Sequence, residues 1–202
     1  KQINPNYKVA GPGLYSNALK QDYFIDFLKR CKVENCLPDQ YTFLCFPYEP
    51  ISDQDFFHKL TQDGAFPDAL SSDEQYVEHF WHDFDALRAS LGLEAGEVTL
   101  LEWNATMWQR DFCNDSCFKA AYLAKNIAEN YDVFWGMGYW TANDMQEETA
   151  PGGAPFHGGY GLHTVQGIAK SAYNSLYLMN KMGTVGKHLI NNSPETEIYG
   201  IT

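Results

Sequence analysis

The side chain best placed to do chemistry is Glu102, within Val98-Thr99-Leu100-Leu101-Glu102-Trp103-Asn104. Four apolar or β-branched residues run straight into a carboxylate, and Trp and Asn follow before a polar stretch over residues 105–114. A buried strand that ends on a charge must pair that charge or place it in water. With Leu101 and Trp103 on either side, the stretch reads as a strand delivering a carboxylate to the rim of a pocket. In a parallel α/β barrel the carboxyl ends of the strands form the active-site floor. A carboxylate there serves as a nucleophile or as a general acid or base. The alternative is a structural Glu paired with an Arg from a neighbouring strand. Cys113 and Cys117, four apart, fit one helix face, but no His or Cys at complementary spacing completes a zinc site. No metal is therefore expected.

A strand that carries such a residue needs neighbours and covering helices, and the chain supplies them in alternation. Residues 7–10 read as a first strand, stopped by Gly11-Pro12-Gly13. Ser16 can cap a helix with Phe24, Phe27, Leu28 and Cys31 at helical spacing. Residues 42–46 form a second strand, closed by Pro47-Tyr48-Glu49-Pro50. Ser71-Ser72-Asp73-Glu74 offers a capping box to a helix that aligns Tyr76, Phe80, Phe84, Leu87 and Leu91, with Gly92 at its end. After the strand at 98–101, a helix from Asn114 or Asp115 buries Ala120, Leu123, Ala124 and Ile127. Residues 133–139 give the fourth strand, leading into Trp140. A long loop then carries Glu147, Glu148 and Phe156-His157-Gly158-Gly159. The spacing predicts a last helix over 171–182, with Gly183 as its cap. Residues 187–190 and 197–201 read as strands of something new.

Four strand–helix units imply an α/β fold with a parallel sheet covered by helices. They fit a small doubly wound domain or half of an eight-stranded barrel. Gly11-Pro12-Gly13 lacks the third glycine of a dinucleotide fingerprint and is not followed directly by a helix, so no cofactor is expected. The long loops after the strands favour a barrel with its pocket at that end.

Composition narrows the partners. At 202 residues the chain suffices for one domain or part of a larger one. The net charge of -12, without any Lys/Arg-rich run, argues against nucleic acid, whose binding begins with phosphate neutralisation. No apolar run reaches the length of a membrane span. An aromatic content of 15% suits the ring platforms of sugar clefts and equally an ordinary core. Five cysteines, an odd number, argue against a secreted disulfide framework and for reduced, mostly buried thiols in a cytoplasmic setting. The chain opens on Lys1-Gln2-Ile3, without Met or a signal peptide, so an upstream segment is expected.

At Leu101-Glu102-Trp103-Asn104 the sequence resembles the nucleophile strand of glycoside hydrolase family 39, the β-xylosidase family. The similarity continues through Asn114-Asp115, Tyr139-Trp140, Glu147-Glu148 and Phe156-His157-Gly158-Gly159-Tyr160-Gly161-Leu162 to Gly167-Ile168-Ala169-Lys170. The resemblance implies the C-terminal half of a (β/α)8 TIM barrel, strands 5–8, over residues 1–183. Residues 184–202 would begin an accessory β-sandwich. It implies a retaining glycosidase with Glu102 as nucleophile and a small xyloside-like saccharide as substrate. Tyr48, Trp140, Glu147, Glu148, Phe156 and His157 would bind the substrate, Trp140 as an apolar platform and the Glu pair as acceptors for hydroxyl hydrogens. For His157 a loop-bracing hydrogen bond is an equal alternative.

Two departures accompany the resemblance. The family's acid/base is the Glu of an Asn-Glu-Pro motif ending strand four, and this chain has no such motif; that strand would precede Lys1. The family's His before the strand-six Tyr is here Phe46. This chain alone is therefore expected to be inactive and to require the N-terminal barrel half or a second copy. A second implied role is the sugar-sensing domain of an AraC-type transcription regulator, which would bind its ligand without turning it over.

Overall fold

The computed structural model describes residues 4, 6–47, 71–146 and 153–182. The chain divides into two compact units. Lys1–Pro50, Ser71–Trp103 and Asp132–Tyr139 make the first, which contains the sheet. Strands β1 (Ala10–Tyr15), β2 (Gln40–Cys45), β3 (Glu97–Trp103) and β4 (Gly136–Tyr139) lie in that order and pair in parallel throughout. Helices α1 (Asp22–Val33) and α2 (Tyr76–Ser90) belong to the same unit. The α/β reading with a parallel sheet therefore holds.

The core of this unit is aromatic, and it follows from the two-residue period of β2. Tyr41, Phe43 and Cys45 point one way and are buried. The Phe43 ring meets Phe24 of α1 at 5.8 Å and Phe80 and Phe84 of α2, each at 5.1 Å, all near edge-on. Tyr41 adds a further contact with Phe84 at 5.1 Å. One side chain thus joins both helices to the sheet. The α1 stripe is narrower than its spacing predicts, since Phe24, Leu28 and Cys31 are buried while Phe27 is exposed.

Several boundaries differ from the sequence reading for local reasons. Gly11-Pro12-Gly13 does not stop β1 but lies within it. Among the described residues β1 is an edge strand, where a residue without N–H is tolerated. The register also shifts between Pro12 and Leu14, with Gly13 at φ 73°. Ser16 opens a 3₁₀ turn (Ser16–Lys20), and α1 begins only after Gln21. The N-cap of α2 is Gln75, whose side chain makes no cap bond; just before it Asp73 accepts the Gln75 N–H and meets His79 Nδ1 at 2.7 Å. Gly92, at φ 62°, follows that helix as anticipated. β4 is shorter than expected, because residues 131–133 are a turn and the Phe134 ring packs on Trp81 at 5.9 Å.

The second unit contains α3 (Cys117–Asn130) and α4 (Ser171–Met182). These two helices pack together, with Ser175 Oγ donating to Ala120 O at 3.0 Å and Ser171 Oγ to Ser116 O at 2.5 Å. A separate 3₁₀ turn (Phe112–Asp115) precedes α3, so Cys113 and Cys117 do not share one helix. Cys31 and Cys45 are buried, Cys113 is half-buried, and Cys36 and Cys117 are exposed. Fewer thiols are buried than composition implied. No helix among the described residues is long and apolar enough to cross a membrane. The strands anticipated over 187–190 and 197–201, and Gly183, lie outside the described residues.

Phe43→Ala removes the ring that both helices of the sheet unit share. A loss of about 3–5 kcal/mol is expected for such a core truncation. It should be read as a lower denaturant midpoint with unchanged slope.

Candidate active site

Glu102 is the penultimate residue of β3 and half-buried, so the strand extends past the carboxylate. Its surroundings are set by a bulge. Phe43 of β2 pairs with Leu100, but the next residue, Leu44, pairs with Glu102. On the other side Leu100 pairs with Met137 and Trp103 with Tyr139. β3 therefore carries one extra residue relative to both neighbours. Such a bulge re-aims the side chains beyond it, a common device beside active sites. β4 accommodates it by a glycine, because a Cβ on Gly138 would lie 2.4 Å from the Leu101 carbonyl oxygen. Leu101 is half exposed, whereas Trp103 is 1% exposed. The chain leaves β3 after Trp103 and β4 after Tyr139, which are paired. Trp140 is the next residue.

The second unit is built on buried charge. Lys170 Nζ lies 2.7 Å from Asp115 Oδ1, 2.8 Å from Asp144 Oδ2 and 2.6 Å from Gly159 O. The side chains of Lys170 and Asp144 are fully buried. Each carboxylate also holds the loop that carries His157. Asp115 Oδ2 accepts the Gly158 N–H at 2.6 Å, and Asp144 Oδ1 accepts the Gly161 N–H at 2.8 Å. Asn114 Nδ2 adds bonds to Trp108 O at 2.9 Å and Gly158 O at 2.8 Å. The loop approaches so closely that a Cβ on Gly161 would sit 2.3 Å from the Asn143 carbonyl carbon. A Cβ on Gly158 would lie 2.8 Å from the backbone of Arg110 and Asp111, and Gly158 has φ 83°. Neither position has room for a side chain.

Trp140 is half-buried, with its ring centroid 6.3 Å from that of Tyr160. Gln109 Nε2 donates to the Tyr160 hydroxyl at 3.1 Å. His157 is buried, and its Nδ1 lies 2.9 Å from Ala154 O, an acceptor, so Nδ1 carries the proton. That is the loop-bracing bond weighed against sugar contact. Phe156 is 49% exposed. Tyr48, Glu147 and Glu148 lie outside the described residues. Within the second unit, Trp140 thus meets the segment that carries His157 through the Tyr160 ring.

Sequence reasoning missed Lys119. It is fully buried, and its ammonium donates to Asn104 Oδ1. Burial pushes its pKa down to about 8. Burial also pushes the nearby Cys113 thiol up to about 12. The signal was present: Lys119 stands four residues before Leu123, on the stripe that the helix buries. Asp115 and Lys170 fell inside quoted motifs without a role, and Asp144 gave no signal of its own.

A parallel sheet with a carboxylate at the carboxyl end of a bulged strand defines an α/β protein whose candidate site lies at that strand end. The family model of glycosyl hydrolases family 39 matches residues 1–196, and the chain belongs to that family. A β-xylosidase from Geobacillus stearothermophilus is 25% identical over 184 residues, 91% of this chain and 35% of that protein. A β-xylosidase from Caldicellulosiruptor saccharolyticus is 37% identical over 86 residues, 42% of this chain and 18% of that protein. Among solved structures, a monomeric β-xylosidase from Caulobacter crescentus CB15 superposes with a TM-score of 0.72 at 25% identity, covering 89% of this chain and 34% of that one. A GH39 enzyme from Xanthomonas axonopodis pv. citri gives 0.71 at 22% identity, covering 91% and 34%. The matched part of the chain thus covers between 18% and 35% of the length of these relatives.

Lys170→Met leaves two carboxylates without their shared cation. Breaking a buried pair in this way is expected to cost about 3–5 kcal/mol. Thermal denaturation measures that loss, and faster amide exchange at Gly158 and Gly161 would locate it.

Proposed function

We propose that the protein containing this chain is a retaining glycoside hydrolase of β-xylosidase type in which Glu102 is the nucleophile. The observation that carries this reading is the carboxylate at the bulged end of a parallel strand in a family 39 chain. Two matched relatives, both named β-xylosidase, support the sugar class. Glu102 would attack the anomeric carbon as the bond to the leaving oxygen breaks, and a second carboxyl group would protonate that oxygen. Water would then release the sugar from the ester. Retaining enzymes hold the two carboxyl groups about 5–5.5 Å apart.

The second carboxyl group is assigned to the part of the protein that this chain does not include, since no Asn-Glu-Pro occurs here. Residues 1–183 are read as strands 5–8 of a (β/α)8 barrel and 184–202 as the start of a β-sandwich. Among the described residues β1 and β4 are the outer strands of the sheet, which suits closure by further strands of the same protein or by a second copy. Trp140 is the apolar platform for the sugar ring. Tyr48, Glu147, Glu148, Phe156 and His157 are its remaining candidate contacts.

Phe46 favours a second reading, a sugar-sensing domain of an AraC-type regulator. It is 3% exposed and stands where the resemblance has a His that can donate to sugar. Turnover separates the two. In the intact protein, Glu102→Gln is expected to lower kcat on an aryl β-xyloside by on the order of 10³-fold or more, with the fold retained. Sugar binding without turnover by the unaltered protein would favour the sensor. Turnover unchanged in the variant would remove Glu102 from the chemistry.

A further inference from the structure

Lys119 is a cation in a place closed to water, on the α3 face that also carries Leu123, Asn126 and Asn130. Its ammonium donates to Asn104 Oδ1. The same oxygen accepts the Ala105 N–H at 2.7 Å. An amide whose oxygen is committed to two donors has the sense of its nitrogen decided. Asn104 Nδ2 accordingly donates to the carbonyl of Trp140 at 2.5 Å. The Trp140 ring itself rests near Tyr160. Stability alone gives little reason to keep this lysine, because well-packed apolar side chains of similar volume usually replace buried charges at no loss. Its hydrogen bond to Asn104 gives a reason.

We propose that Lys119 is a positioning residue for Trp140: by locking the Asn104 amide it fixes the Trp140 backbone, and with it the face that the indole presents to a sugar ring. The inference rests on the assignment of Trp140 as the sugar platform. The groups that face the Lys119 amine are the carboxylates of Asp111 and Asp115, the thiol of Cys113 and the ammonium of Lys170. Burial is the largest influence on the amine; the two carboxylates oppose it and Lys170 reinforces it. The Cys113 thiol, raised to about 12, stays protonated while the amine, near 8, titrates. Above that pH the amine still donates one hydrogen bond but has lost its charge, so the lock weakens without breaking.

The intact protein labelled with 5-fluorotryptophan gives the test, the Trp140 fluorine resonance being identified by its loss in Trp140→Phe. In the unaltered protein that resonance is expected to move with a midpoint near pH 8. In Lys119→Met it should be displaced at every pH and show no midpoint, while the resonances of Trp81 and Trp135 hold. KM for an aryl β-xyloside should rise about tenfold while kcat stays within about threefold. Stability adds a check, since a lysine whose folded value is lowered favours folding as pH rises from about 8 toward 10.5. Lys119→Met should lack that rise. A Trp140 resonance indifferent both to pH and to Lys119→Met would overturn the proposal and make Lys119 a packing residue. The titration of the unaltered protein decides the matter even if Lys119→Met does not fold. A titrating resonance in a protein without xylosidase turnover supports the lock and counts against the glycosidase assignment alone.

Discussion

One extra residue in β3 sets the arrangement of the sheet unit. Up to Leu100 the strand keeps regular register with Phe43, and the aromatic core forms around that pair. Beyond it, Leu101 is skipped by β2, Leu101 and Glu102 together stand against Gly138 of β4, and that glycine gives the Leu101 carbonyl room. Below the bulge the two-residue alternation serves packing. Above it the alternation is broken, Leu101 is turned outward, Glu102 is half-buried and Trp103 is sealed in. A strand can therefore end in a carboxylate without interrupting the core from which it emerges. The bulge is accommodated by a glycine in β4, which has no Cβ to meet the Leu101 carbonyl.

The second unit solves a different problem by different means. Its segments over 104–116, 140–146 and 153–161 have no regular secondary structure beyond short 3₁₀ turns. Apolar packing alone gives such segments little uniqueness. Charges buried among them do, because a carboxylate removed from water tolerates few arrangements. Lys170 gathers Asp115, Asp144 and Gly159, and the two carboxylates in turn hold Gly158 and Gly161. The result is a rigid loop built from polar contacts, which suits a segment that must present fixed side chains rather than fill a core.

The parts legible in the sequence are those governed by period. The alternation of strands and helices, the parallel sheet, the helix Ser171–Met182 and the burial of Phe24, Phe80 and Phe84 all follow from apolar spacing. On α3 that spacing names Ala120, Leu123, Ala124 and Ile127, of which Leu123 alone is buried, beside Lys119, Asn126, Ala128 and Asn130. The resemblance at Leu101-Glu102-Trp103-Asn104 pointed to the family to which the chain belongs. Features set by tertiary neighbours were not legible. Gly11-Pro12-Gly13 reads as a stop unless the strand is known to lie at an edge. The bulge at Leu101 has no local signature, since the residue that permits it is Gly138. The position of Lys119 on the Leu123 stripe is legible, but its partner is not, because Asn104 lies on another segment. The ion cluster joins residues that are far apart in the chain, and charge patterning in one segment carries no information about another.

The central claim is that Glu102 forms a bond to the sugar. An activated 2-deoxy-2-fluoroxyloside tests it directly, because the fluorine slows both formation and breakdown of the glycosyl ester while the activated leaving group restores formation alone, so the ester accumulates. The intact protein is incubated with this reagent, digested and sequenced by mass spectrometry. The account predicts one fluoroxylosyl group, carried by the peptide containing Leu101-Glu102-Trp103 and located on Glu102. Label on another carboxylate, or turnover of an aryl β-xyloside with no labelled peptide, would contradict it.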